Sequence, residues 1–176
     1  MYGEAMPQAP SPPHAFSIRP ARLGDEEALF TLIQALAAYE KLSHAVTGSA
    51  EKLAHDLFGL HPRAEALLVE ADERAVAFAL FFHNYSTFLT QSGLYLEDIF
   101  VRPEYRGHGI GKALLSEVAK VARARACGRL EWSVLDWNES AIGFYRSLGA
   151  SVLPDWRICR VTGDELGALA LVSVKA

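Results

Sequence analysis

Cysteine is scarce: the 176 residues hold two, Cys127 and Cys159, and neither sits in a C-x-x-C spacing. Such a pair builds neither a disulfide framework nor a thiolate metal site, and it fits a reduced compartment. His14, His44, His55, His61, His83 and His108 show no ligand spacing either, so no metal is expected. Long apolar runs are missing. The longest strongly apolar stretch, 75–82, falls far short of the roughly 20 residues that cross a bilayer, so no membrane partner is expected. A basic excess is absent too. Seventeen Lys and Arg stand against 21 Asp and Glu, a net charge of −4, which argues against a general nucleic-acid binder. Residues 1–6 lack the basic start and apolar run of a signal peptide, and the expectation is a cytoplasmic protein.

What is present is an ordinary globular composition, 51% apolar and 22% charged. It predicts a single domain over 16–176, behind a Pro-rich leader, 1–15, read as disordered. Alternation suggests a first strand at 16–19, and Asp25, Glu26 and Glu27 then mark a helix start. Leu29, Leu32, Ile33 and Leu36 follow at helical spacing, and a second helix is expected between Gly48 and Leu60. Stretches 66–71 and 74–83 flank a short polar turn and predict an antiparallel hairpin. A looser stretch, 84–93, precedes a strand over 94–102 that Pro103 should end. A long amphipathic helix, a strand over 129–135 and a helix capped by Asn138 come next. Residues 150–176 should supply final strands and a tail. The order is that of a mixed α/β fold.

The most informative segment reads Asp98-Ile99-Phe100-Val101-Arg102-Pro103-Glu104-Tyr105-Arg106-Gly107-His108-Gly109-Ile110-Gly111-Lys112. A strand ends, a Gly-rich turn follows, and a helix begins within it. That junction presents consecutive N–H groups at the positive end of a helix, and glycines let an anion come close. Two phosphate patterns fail here. A P-loop needs glycine where Arg106 stands and Ser or Thr where Ala113 stands. A dinucleotide fingerprint from Gly107 needs a small residue where Lys112 stands. Arg-x-x-Gly-x-Gly survives, over Arg106, Gly109 and Gly111, and its setting reads as a pyrophosphate site rather than a flexible turn. Charge agrees: 102–129 holds seven basic and two acidic residues, a local +5, which leaves −9 elsewhere.

Preceded by Glu97-Asp98-Ile99-Phe100-Val101, this block resembles the acetyl-CoA-binding motif of the GNAT superfamily of N-acetyltransferases. Asp136-Trp137-Asn138, followed by Phe144-Tyr145 and Leu148-Gly149-Ala150, is similar to the family's second block, and the likeness runs from about 16 to 170. It implies a mostly antiparallel central sheet with a splayed strand pair and helices on both faces. It implies acetyl-CoA as cosubstrate, held by Ile99, Phe100, Val101, Arg106, Gly107, His108, Gly109, Ile110, Gly111, Lys112, Asn138 and Tyr145. It also implies Tyr145 as proton donor to the leaving thiolate and Glu97 as base. The residues alone allow plainer roles. Asn138 caps a helix, Tyr145 shares an apolar face with Ile142 and Leu148, and Asp98 pairs with Arg or Lys neighbours.

The chemistry sets its own demand. A lysine-like amine, with a pKa near 10.4, is neutral in about one molecule in a few thousand at pH 7, a cost of about 4–5 kcal/mol. A carboxylate both attracts the ammonium and accepts its proton. Glu97 and Asp98, adjacent on a strand, should point to opposite faces. A backbone N–H near Val101 is the natural donor to the thioester oxygen. Within the superfamily the likeness is to diamine (spermidine/spermine) and thialysine acetyltransferases, through Tyr39-Glu40-Lys41-Leu42, Tyr95-Leu96-Glu97-Asp98 and Asp136-Trp137-Asn138. It implies that Tyr39, Glu40, Glu97 and Asp98 line the amine pocket, that Trp156 closes it, and that the protein is a homodimer joined partly by its C-terminal strands. Polyamine enzymes carry an acidic residue where Ser86 stands, so the expected partner is a small primary amine of the lysine type. A polyamine acetyltransferase and a CoA-binding regulatory module without turnover are the alternatives.

Overall fold

The computed structural model describes residues 15–172, and the Pro-rich run at 7–13 lies outside them. The described residues fall into two compact units, one ending at Ser133 and one beginning at Val134. In the first, β1 (Phe16–Pro20), β2 (Glu65–Ala71), β3 (Arg74–Ser86), β4 (Gln91–Val101) and β5 (Leu130–Glu131) form one sheet in that spatial order. All neighbours are antiparallel except β4 and β5, which run parallel.

Two helices, α1 (Glu26–Tyr39) and α2 (Ala50–Phe58), cover one face of this sheet. Leu29, Leu32 and Leu36 share a helical face and meet Leu68, Phe78 and Phe100, which the period of two brings to the same side. Residues 76–79 of β3 are all buried, which requires cover on both faces. The second cover is α3 (Ile110–Ala124), packed over β2, β3 and β4 through Ile110, Leu114, Leu115 and Val118.

The hairpin of β3 and β4 is longer than the sequence suggests. Residues 84–93 are not loose: β3 runs through Ser86 and β4 starts at Gln91, with Asn84 facing Gly93. Gly93 permits this because a side chain there would collide with Asn84 Oδ1, while Asn84 Nδ2 donates to Glu131 at 2.9 Å. Conversely, the strand expected over 129–135 shrinks to two residues, paired only with Leu94 and Tyr95.

The second unit holds α4 (Glu139–Ser147) and α5 (Gly163–Ala170). Asn138 caps α4 as expected, its Oδ1 accepting the Ala141 N–H at 3.2 Å. The final strands expected after Ala150 do not form among the described residues, which carry one helix there instead.

Entry into α1 rests on a buried charge. Arg19 donates to both oxygens of Asp25, at 2.6 and 2.9 Å, and to both oxygens of Glu70. Asp25 also accepts the Arg22 N–H at 2.8 Å, so it closes the turn before α1 rather than capping the helix. The Arg19 hydrogen bonds hold the Asp25 carboxyl below its ordinary value, so its stabilising effect is present at neutral pH and lost as pH falls through the acid range. Asp25→Asn is expected to lower stability by about 2 kcal/mol at pH 7. In urea titrations the gap to wild type should close as the pH falls below about 4.

Candidate active site

The register between β3 and β4 slips at one point: Leu80 faces Asp98, yet Phe81 faces Leu96. Glu97 is therefore the extra residue of a β-bulge, which bends its strand and breaks strict alternation. The irregularity falls within the pair Glu97-Asp98, and the two carboxylates differ in burial. Asp98 falls in register with Leu80, which packs against the α1–α2 core, and Glu97 is exposed. The bulge directly follows the last pairing of β4 with β5, Tyr95 to Glu131. Beyond it, residues 96–101 meet no strand on their outer side among the described residues. Alternate backbone N–H and C=O groups there face outward. This is the splayed strand pair.

Past Val101 the chain makes one 3-10 turn, Pro103–Tyr105. Tyr105 is buried, and its hydroxyl donates to Asp72 in the turn between β2 and β3 at 3.2 Å. Gly107 and Gly109 follow with φ of 80° and 82°, left-handed values that a side chain would strain. Gly109 precedes α3 with no side-chain cap, and no acidic residue occupies the first turn. Lys112 is exposed there, and Gly111 and His108 are half-buried. The side chains of Ile110 and Phe100 belong to the core, and those of Ile99 and Val101 are half-buried, so this stretch meets a ligand chiefly through its backbone. The arrangement suits a phosphate-bearing molecule at the start of α3 with an extended arm along β4.

Arg106 has partners of its own within the protein. Its Nε donates to the Val101 carbonyl at 3.0 Å. Its guanidinium lies 4.3 Å from the centroid of the Tyr39 ring and 5.7 Å from that of Phe100. Tyr39 and the half-buried Glu40 form the end of α1, and burial pushes the Glu40 carboxyl up. Burial, then the charges of Glu97 and Glu40, push Asp98 up to about 6. The structure thus brings Glu40 and Glu97 within electrostatic reach of Asp98, and Tyr39 precedes Glu40 at the end of α1. Among the described residues no group of three or more His, Cys, Asp or Glu is arranged to hold a metal ion.

Ser86 is not part of that cluster within the chain. It is buried, and its Oγ accepts the Leu89 N–H at 3.2 Å in the hairpin turn. It stands six strand residues beyond Leu80, about 20 Å away. Asn138, Tyr145 and Trp156 belong to the second unit. There Tyr145 is buried, its ring 5.4 Å from that of Phe144, and Trp156 is 74% exposed. Sequence reasoning missed the bulge, the Tyr105–Asp72 tether and the stacking of Arg106 on Tyr39. The one available signal was the polar turn Asp72-Glu73, whose φ values of 51° and 58° form a tight hairpin.

Residues 31–150 match the model of the Acetyltransferase (GNAT) family. L-ornithine N5-acetyltransferase NATA1 of Arabidopsis thaliana is 50% identical over 103 residues, 58% of this chain and 45% of that protein. The chain thus spans under half the length of that relative. Thialysine N-epsilon-acetyltransferase of Bos taurus is 40% identical over 164 residues, 87% of this chain and 96% of that one. Among solved structures, integron cassette protein VCH_CASS6 from the mobile metagenome of V. cholerae superposes with a TM-score of 0.75. It is 25% identical and covers 89% of this chain and 98% of its own.

A carboxyl whose folded value is raised to about 6 weakens the fold as pH rises from its unfolded value, near 3.9, through 6. Asp98→Asn is therefore expected to stabilise the protein at pH 7 by about 1–2 kcal/mol. Thermal melts at pH 4 and pH 7 check this, with the gain confined to the higher pH.

Proposed function

The chain belongs to the acetyltransferase (GNAT) family and is an N-acetyltransferase; from that premise we propose that it moves an acetyl group from acetyl-CoA to the terminal amine of a small lysine-like amino acid. The convergence on β4 carries this reading. A free backbone edge, two carboxylates at a bulge and a Gly turn opening α3 follow one another within sixteen residues of chain, 96–111. The acceptor is supported by the names of the two relatives above, which place the acetyl group on the side-chain nitrogen of ornithine and of thialysine. The match over 31–150 crosses the boundary between the two units, which supports one catalytic domain over 16–176.

The residues present fit acetyl-CoA. Gly107, Gly109 and Gly111 leave the α3 amides open to a pyrophosphate, and Lys112 adds a cation. Ile99, Phe100 and Val101 offer the β4 edge to the pantetheine arm, and a backbone N–H near Val101 polarises the acetyl carbonyl. When bound, acetyl-CoA supplies a thioester for direct attack by the amine. Glu97, exposed at the bulge, attracts the ammonium and takes its proton, directly or through water. The observation at Asp98 favours a second assignment, in which the proton rests on that carboxyl, since a base near the working pH is the more effective one. Tyr39, Glu40 and Trp156 complete the amine pocket, and His108 lies against the phosphates. Asn138 orients the arm and Tyr145 protonates the departing sulfur.

A homodimer in the cytoplasm belongs to the same proposal. Trp156 and Ile158 are largely exposed on a segment without a strand partner, Leu171 is largely exposed at the end of α5, and a second copy would cover them. No helix among the described residues is long and apolar enough to cross a membrane.

Release of free CoA thiol from acetyl-CoA, followed with a panel of amines, tests the reading. Thialysine and ornithine should exceed spermidine in kcat/KM; equal or better turnover of spermidine sinks the acceptor assignment. Tyr145→Phe should lower kcat by about 100-fold, and an unchanged kcat removes its proton-donor role. Activity should fall on the acid side near the Asp98 value of about 6. Loss of that limb in Asp98→Asn but not Glu97→Gln places the proton on Asp98, and the reverse places it on Glu97.

A further inference from the structure

Arg106, expected at the phosphates, makes contacts with β4 and α1. Arg106 leaves the glycine turn with its Nε bonded to the Val101 carbonyl and its guanidinium against Tyr39, the last residue of α1. The geometry fits a cation–π contact, which requires a cation within about 6 Å of the ring centroid. Three further observations give it weight. The last turn of α1 contains no basic residue of its own, so the negative end of that helix has no cation from within. The chain breaks away immediately afterwards, with Lys41 at φ 61° and the Leu42 N–H returning to the Ala37 carbonyl. Phe100, the other ring near the guanidinium, is buried in the cluster of Leu29, Leu32 and Leu36 on α1.

We propose that Arg106 is a positioning residue for the acceptor amine: it clamps the Tyr39–Glu40 end of α1 to the end of β4, and so governs amine affinity rather than acetyl-CoA affinity. The inference rests on the proposed function, in which the amine lies between Tyr39-Glu40 and Glu97-Asp98. Glu40 follows Tyr39 directly, and its charge acts on Asp98 across the site. Freeing Tyr39 frees Glu40, and the acidic wall that receives the ammonium loses one side. The motif's phosphate contacts then fall to the glycine amides and Lys112, while its arginine serves the opposite substrate.

Steady-state kinetics with thialysine, together with calorimetric titration of CoA, separate the two substrates in the full-length chain. Arg106→Ala should raise the thialysine KM by roughly 5- to 10-fold and leave the CoA Kd within about twofold. Arg106→Lys, which keeps the cation but loses the Val101 bond, should fall between. Tyr39→Leu, which removes the ring, should reproduce Arg106→Ala. The double variant Arg106→Ala/Tyr39→Leu should be no worse than either single one. A CoA Kd weakened tenfold with an unchanged thialysine KM makes Arg106 a phosphate ligand and overturns the proposal. Additive effects in the double variant overturn it as well. A wild-type protein that binds CoA but acetylates no amine overturns the acceptor reading instead. The double-mutant cycle in thermal stability then still decides whether Arg106 acts through Tyr39.

Discussion

One extra residue in β4 organises the rest. The β3–β4 ladder slips at Glu97, and the β4–β5 pairing ends two residues earlier, at Tyr95. The strands thus part just before the bulge, where backbone groups are needed for a ligand. At the bulge one carboxylate is exposed and its neighbour is in register with Leu80, beside the core. The open edge and the asymmetry between two adjacent acids thus meet at a single irregularity.

Around that point the fold is conventional, and its parts have separable tasks. The cores under α1–α2 and under α3 hold the sheet from both sides, so the β4 backbone is fixed by neighbours that never meet a substrate. The Gly turn is held from below by Tyr105 and Asp72, which leaves its left-handed glycines free of any structural side chain. The charge division follows the same plan. Basic residues gather over 102–129, on the side proposed for the anionic cosubstrate, and Glu40 and Glu97 act on Asp98 on the side proposed for the amine. The cost appears at Asp98, whose burial beside two like charges is unfavourable to the ionised form and therefore to the fold at neutral pH.

Much of this was legible in the residues, for identifiable reasons. The amphipathic helices, the β2–β3 hairpin and the strand–Gly turn–helix junction declare themselves through local period and composition. Asn138 declared its capping role in the same way. Features that depend on pairing were not legible. Nothing in Leu96-Glu97-Asp98 says which residue is the extra one, since a bulge is defined by its partner strand. Asn84 and Tyr85 look like loop residues until Gly93 and Ser92 are set opposite them. Ser86 was read for the charge it lacks, but the hairpin turn uses its hydroxyl. The stacking of Arg106 on Tyr39 is not legible either, because the ring comes from a helix more than sixty residues earlier in the chain.

The open edge of β4 has a second face to its usefulness. A row of unpaired backbone donors and acceptors is the template by which one chain adds to another, so an enzyme that keeps such an edge for its substrate also exposes itself to aggregation. Here the same short run carries Glu97 and Asp98. A foreign strand that docked against residues 96–101 would have to bring the exposed Glu97 carboxylate out of water beside the already half-buried Asp98, with no cation to meet it. An incoming ammonium satisfies that requirement and a neutral β-strand does not. The pair proposed to receive the amine is thereby also the guard that keeps the sheet from growing.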